Sequence, residues 1–248
     1  MKLRETIKRL AGPRGRRLIR RLRTRRIEFV KEYRTALRGM QALEIGGPTD
    51  MLASEGAFPI YPSLASIDNC NFARDTIWSS DAVRYERSFI FEGTALEVES
   101  DTYDCLIASH CLEHIANPIR ALLEWKRVLR PNGLMLLILP NRDFTFDWRR
   151  DITTLEHMRK DYELGTPESD LTHLEEILSL HDRSRDPGAG TEGHFRQRCL
   201  ENLRFRAMHH HVFSPQTTIE ILRYADFGIV RQDVLQINIF TLARKGLN

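Results

Sequence analysis

Gln41-Ala-Leu-Glu-Ile-Gly-Gly-Pro48 decides how the chain is read. An apolar run of strand length, 41–45, stops at two glycines and a proline. Glycine after a strand lets the backbone approach a ligand, because no Cβ stands in the way. Three more short runs follow: Leu64-Ala-Ser-Ile-Asp68, Ser88-Phe-Ile-Phe-Glu92 before Gly93, and Tyr103-Asp-Cys-Leu-Ile-Ala-Ser109. Residues 134–139 are continuously apolar, the mark of a strand buried on both faces. Residues 118–129 carry apolar side chains at 119, 122, 123, 125 and 129, an amphipathic helix closed by Pro131-Asn132-Gly133. Strands alternating with crossovers predict a parallel sheet. Residues 215–225 read as a helix. Residues 229–235 and 237–243 read as strands joined so directly that they form a hairpin.

The chain has 248 residues, enough for one domain with a real core, and 42% hydrophobic with 29% charged residues is a globular balance rather than a disordered one. The four cysteines (Cys70, Cys105, Cys111, Cys199) have no paired spacing. No apolar run approaches the roughly 18 residues that span a bilayer, and no apolar leader opens the chain. A cytoplasmic setting is expected. The net charge of +3 conceals an asymmetry: residues 1–39 hold 15 Lys/Arg against 3 Asp/Glu, and the rest is acidic by 9 charges. Within 16–38, Leu18, Leu22, Val30, Tyr33 and Leu37 recur at helical spacing among arginines. We therefore expect a basic amphipathic arm, 1–39, before a body, 40–248. The arm reads first as a cap helix with exposed arginines. An anionic membrane surface is its next partner, with peripheral attachment at the inner membrane surface. Nucleic acid is disfavoured, since the arm's aromatics are Phe29 and Tyr33 alone.

Open parallel sheets bind ligands beyond the carboxyl ends of their strands. There stand Gly46 and Gly47, then Asp68 to accept from ribose hydroxyls, then Glu92 and Gly93 to border an adenine. An adenosine-containing cofactor follows. GxGxxG and GxxxxGK[ST] are both absent. Glu44 and Asp50 flank the turn and suit the amino group and sulfonium of S-adenosylmethionine better than a pyrophosphate.

Leu43-Glu-Ile-Gly-Gly-Pro48, Asp68, Tyr103-Asp-Cys-Leu-Ile-Ala-Ser-His-Cys-Leu-Glu-His-Ile115 and Trp125-Lys-Arg-Val-Leu-Arg-Pro-Asn-Gly133, in that order, resemble the class I S-adenosylmethionine-dependent methyltransferases, most closely the methyltransferase type 11-like group. The resemblance implies a Rossmann-like, seven-stranded, mostly parallel α/β sheet with a C-terminal antiparallel hairpin strand and a helical insert. It implies that Glu44, Gly46 and Gly47 line the methionine moiety, Asp68 holds the ribose, Glu92 and Gly93 border the adenine, and Ser109 and His110 face the reaction centre. The chain departs from the family at Pro48, where a third glycine and a long helix usually follow; Pro59 and Pro62 leave room for only a short one.

The insert, about 141–209, is polar and holds two expected helices: 153–163, and 171–181 with Thr172 and Glu175 at capping-box spacing. Seven of the nine histidines lie from His157 onward. Methyl transfer needs a base for the acceptor's proton, and imidazole suits that near neutral pH. His157 and Asp161 share a helix face, and His181 and His211 complete the candidates. Three readings stay open for these histidines: a general base in an acceptor lid, buried structural residues, or a metal site at His181, His209 and His211. The acceptor expected is a small molecule or glycan, methylated on oxygen. The other classes are an inactive cofactor-fold scaffold and a metal-dependent enzyme. A nucleic-acid methyltransferase would carry Asn/Asp-Pro-Pro-aromatic where Ser109-His-Cys-Leu112 stands. The oligomeric state is left open.

Overall fold

The computed structural model describes residues 27–74 and 84–246, so the expected arm is placed only from residue 27. Seven strands form one sheet: β1 (Gln41–Ile45), β2 (Ser66–Asn71), β3 (Ser88–Ile90), β4 (Tyr103–Ser109), β5 (Leu129–Pro140), β6 (Phe227–Leu235) and β7 (Asn238–Lys245). Their order is β3-β2-β1-β4-β5-β7-β6. The first five run parallel, and β7 is antiparallel to both β5 and β6. The hairpin puts β7 beside β5, giving the one antiparallel strand the sequence predicts. Strand order reverses between β1 and β4, which opens a crevice at their carboxyl ends.

The helices are α1 (Val30–Ala36), α2 (Pro118–Val128), α3 (Leu155–Leu164), α4 (Leu174–Leu180), α5 (Glu192–Leu200), α6 (Asn202–Phe205) and α7 (Pro215–Tyr224). Their starts follow capping chemistry. Asn117 accepts from the Arg120 N–H at α2, Thr154 from the His157 N–H at α3, and Ser214 and Thr217 form a capping box at α7. The capping box expected at Thr172 and Glu175 does not form. His173 stands at the N-cap of α4, and the Thr172 hydroxyl donates to Asp170 instead. The insert also holds α5 and α6, which the sequence reading missed: residues 192–200 have no apolar stripe. Thr191, which caps α5 through the His194 N–H, was the available signal. No helix among the described residues is long and apolar enough to cross a membrane.

Between β1 and β2 two 3-10 turns, Asp50–Leu52 and Tyr61–Ser63, replace a crossover helix. The sheet face left bare is covered from the other direction in sequence. Ile27, Val30, Tyr33 and Leu37 are buried there with Phe58, Ile60 and Phe240. The rings of Phe29, Tyr33, Phe58 and Phe240 meet at centroid distances of 4.6–6.0 Å. Residues 27–37, the described end of the arm, thus pack on the body as a cap helix would. The opposite face buries Leu43, Leu106 and Leu137 under Trp125 of α2 and Ile221 of α7.

One boundary matters for the site. β2 is read from sequence as 64–68 and runs instead from Ser66 to Asn71. Its polar end is tolerated because the amides of Asn69 and Asn71 donate to the Glu44 and Gly47 carbonyls. Asp68 therefore sits in mid-strand opposite Leu43, and Asn71 takes the carboxyl end.

Candidate active site

Two cavities meet over the carboxyl ends of β1, β2 and β4. The first, about 80 Å³, is walled by Ile45, Asn71, Phe72, Phe91, Glu92, Gly93, Ile115 and Arg206. The second, about 650 Å³, is more polar and is lined by Asp50, Ser109, Glu113, Thr145, Arg185, Asp186, Arg198 and His209, among others. Gly46, His110 and His114 line both. Gly46 has φ +84°, and a Cβ there would stand 3.1 Å from Cys111 Sγ, so the turn accepts only glycine without strain. His110 takes the same left-handed region (φ +49°), held by a 2.7 Å hydrogen bond between its Nε2 and Asn238 Oδ1.

The expected cofactor residues are divided by the structure. Gly46, Glu92, Gly93, Ser109 and His110 stand on the cavity walls, and the Ser109 hydroxyl is buried without a hydrogen-bond partner. Glu44 lines neither cavity. Its fully buried carboxylate accepts from the hydroxyls of Tyr61 (2.8 and 2.9 Å), Tyr85 (2.7 Å) and Thr49 (3.1 Å). Burial pushes its pKa up, while these hydroxyls pull it down. Gly47 lies over Glu44: a Cβ there would meet the carboxylate carbon at 2.1 Å. Both build the turn and stand off these two cavities, and Gly47 lines a separate one with Asn71 and Tyr85. Asp68 is also withdrawn from the site. It accepts from the Tyr103 hydroxyl (2.7 Å), from Arg87 Nη2 (2.7 Å) and from the Arg87 backbone N–H (3.0 Å). Asn71, Phe72, Phe91, Ile115 and Arg206 on the first cavity were missed by the sequence reading. Asn71 was legible in principle, had β2 been run to its polar end.

The candidate bases move as well. His157, Asp161 and His211 come together but line neither cavity. His181 stacks between Phe146 and Phe195 and pairs with Asp186 at 3.1 Å, outside both cavities. His181, His209 and His211, considered together for a metal, belong to three different clusters. The titratable group that does face the second cavity is Glu113, His114 and His209, with one donor atom of each within 4.8 Å of the others. His209 Nδ1 lies 2.5 Å from Asp147, which also pairs with the buried Arg150 at 3.1 Å. Burial disfavours the Asp147 carboxylate, but His209 and Arg150 more than offset it and hold its pKa at about 2. Burial likewise works against charge on His209, and Asp147 prevails and raises its pKa. Glu113 is fully buried with neither carboxyl oxygen hydrogen-bonded, His110 Nδ1 standing 3.6 Å from one of them, and burial raises its pKa. His114 Nδ1 donates to the Met208 carbonyl (2.9 Å), which leaves the lone pair on Nε2; burial holds its pKa well below the ordinary value.

A family described as methyltransferase domain matches residues 14–232. No curated protein matches the chain. Among solved structures, a candidate methyltransferase of Bacillus halodurans C-125 is similar over 88% of this chain and 99% of that one, at 10% identity and a TM-score of 0.50. A protein from Methanosarcina mazei in the S-adenosylmethionine-dependent methyltransferase class covers 90% and 100% at 14% identity, with a TM-score of 0.48. The 1,6-didemethyltoxoflavin-N1-methyltransferase of Burkholderia thailandensis, with S-adenosylhomocysteine bound, covers 88% and 79% at 14% identity and a TM-score of 0.49.

Proposed function

The chain belongs to the methyltransferase domain family, and from that premise we propose that it transfers a methyl group from S-adenosylmethionine to an oxygen of a polar small molecule, a saccharide hydroxyl in the reading we favour. The observation that carries this reading is the junction of the two cavities at Gly46, His110 and His114. A narrow site and a wide one that carries more charged side chains share a wall, as a transfer between two bound molecules requires.

The walls suit the cofactor. Phe72, Phe91 and Ile115 offer apolar surface for a purine, and a Cβ on Gly93 would stand 3.2 Å from Ile115 Cδ1. We assign the ribose to Asn71 and the adenine border to Glu92. The unpartnered Ser109 hydroxyl is placed to bond the methionine end. The cofactor supplies an electrophilic methyl. The protein's remaining task is to orient the acceptor and take its proton. Arg185, Arg198, Asp186 and Thr145 offer hydrogen bonds to a hydroxylated acceptor. We assign the proton to His114 Nε2, since its imidazole is neutral at pH 7 and lines both cavities. Glu113 lies beside it and, once ionised, would stabilise the imidazolium that forms, while the neighbouring His209 disfavours charge on His114 and keeps it a neutral acceptor of the proton beforehand.

Calorimetric titration with S-adenosylhomocysteine tests the first part: one site per chain is expected, and Gly46→Val should abolish it. Absence of binding at millimolar ligand contradicts the cofactor. A screen of saccharide acceptors then tests the second. With an acceptor found, His114→Gln should lower kcat about 100-fold or more, the usual worth of a positioned base, and leave S-adenosylhomocysteine affinity unchanged. Unaltered kcat removes His114 from that role.

A further inference from the structure

We propose a divalent metal site, zinc by its donor set, at His157, Asp161, His173 and His211. The four come from three segments of the insert and its exit: one turn of α3, the N-cap of α4, and the stretch leading to α7. His157 Nε2 lies 3.3 Å from His173 Nε2 and 3.3 Å from Asp161 Oδ2. The His211 ring comes within 3.9 Å of the same carboxylate oxygen at its Nε2, the nitrogen bonded to the Ala116 carbonyl, and would bind the metal through its other nitrogen, Nδ1. One nitrogen from each of the three imidazoles falls within 4.8 Å of the others. Tetrahedral zinc with bonds of about 2.0–2.1 Å sets its donors about 3.3–3.4 Å apart, so two of these spacings already match.

Two of the four residues also keep an atom without other work. Asp161 Oδ2 is buried without a hydrogen-bond partner despite its closeness to His157, and so is Nδ1 of His211. His211 Nε2 lies 3.2 Å from the Ala116 carbonyl, which can only accept, so the lone pair of that ring is on the unpartnered Nδ1. Ring nitrogens and a carboxylate that converge with unused lone pairs are costly unless a cation stands among them. The outer layer is also present. Asp161 Oδ1 accepts from the Thr166 hydroxyl (3.1 Å), Glu176 stands 3.6 Å from His173 Nδ1, and the Ala116 carbonyl orients His211. The quartet lines neither cavity, and four protein ligands leave no open position. The metal would therefore be structural, joining α3, α4 and the exit segment to the loop at Ala116.

Metal analysis of the purified full-length chain, dialysed against zinc and then metal-free buffer, tests this. About one equivalent is expected in the wild type and in His114→Gln, and less than about a tenth in His173→Ala and Asp161→Ala. A wild type below a tenth of an equivalent, or His173→Ala retaining the full equivalent, overturns the site. Should those variants not fold, cobalt titration of the wild type decides. Intense visible absorption of tetrahedral cobalt supports the quartet, and the weak spectrum of octahedral cobalt, or none, overturns it.

Discussion

The Tyr103 hydroxyl is buried against Asp68, and Asp68 has no contact with either cavity. Asp68→Ala should therefore cost about 1–3 kcal/mol of stability, the worth of an orphaned buried hydroxyl, and leave S-adenosylhomocysteine affinity within about threefold. Urea denaturation and calorimetry check the two halves; a tenfold loss of affinity would return Asp68 to the ribose. Asp147 carries the pH dependence. Its folded pKa of about 2 lies below the ordinary 3.8, so its contribution, about 2 kcal/mol, is present above pH 4 and lost as pH falls from about 4 to 2. His209 works in the other direction. Its raised pKa stabilises the fold in mild acid, and that contribution fades as pH rises through the folded value. Denaturation of Asp147→Asn at pH 3 and pH 5 should show a smaller acid loss than the wild type.

The β1–β2 crossover has no long helix: Pro48, Pro59 and Pro62 leave room for only a short one, and the segment forms two 3-10 turns instead. α1 covers that face from outside the sheet's strand succession. Tyr33 is fully buried, and its hydroxyl donates to Asp233 (2.9 Å) and to the Phe240 carbonyl (3.1 Å). Tyr33→Ala should cost about 3–5 kcal/mol, read as a shift in the urea midpoint. A change under about 1 kcal/mol would mean that α1 merely rests on the body. The sequence showed the helical spacing of Val30, Tyr33 and Leu37 but not their destination. Phe58 and Phe240 come from distant segments, and their pairing with Phe29 and Tyr33 depends on the missing crossover helix.

Arg206 connects the insert to the sheet. Its guanidinium bonds Glu92 at 2.6 Å and pairs with Glu168, and it walls the narrow cavity beside Phe72. That pair spans the mouth of a cavity of about 80 Å³, so a cofactor entering it is expected to part Arg206 from Glu92. Arg206→Ala should therefore raise both association and dissociation rate constants for S-adenosylhomocysteine, the latter roughly tenfold. Stopped-flow binding with both rates unchanged would contradict a gate.

By itself the sequence determined the sheet and its site. Apolar runs ending in Gly46, Gly93 and Ser109 are local patterns, and a parallel sheet must place those ends on one edge, so the crevice and the family resemblance were both legible. The tertiary structure alone decided which polar residues face that crevice. Asp68 and Glu44 looked like ligand contacts because they are carboxylates near strand ends, but Tyr103, Arg87, Tyr61 and Tyr85 reach them first. The insert's histidines follow the same rule. Residues as far apart as 157 and 211, or 114 and 209, meet through packing that no spacing records; burial then holds His114 neutral, while Asp147 favours charge on His209 against its burial.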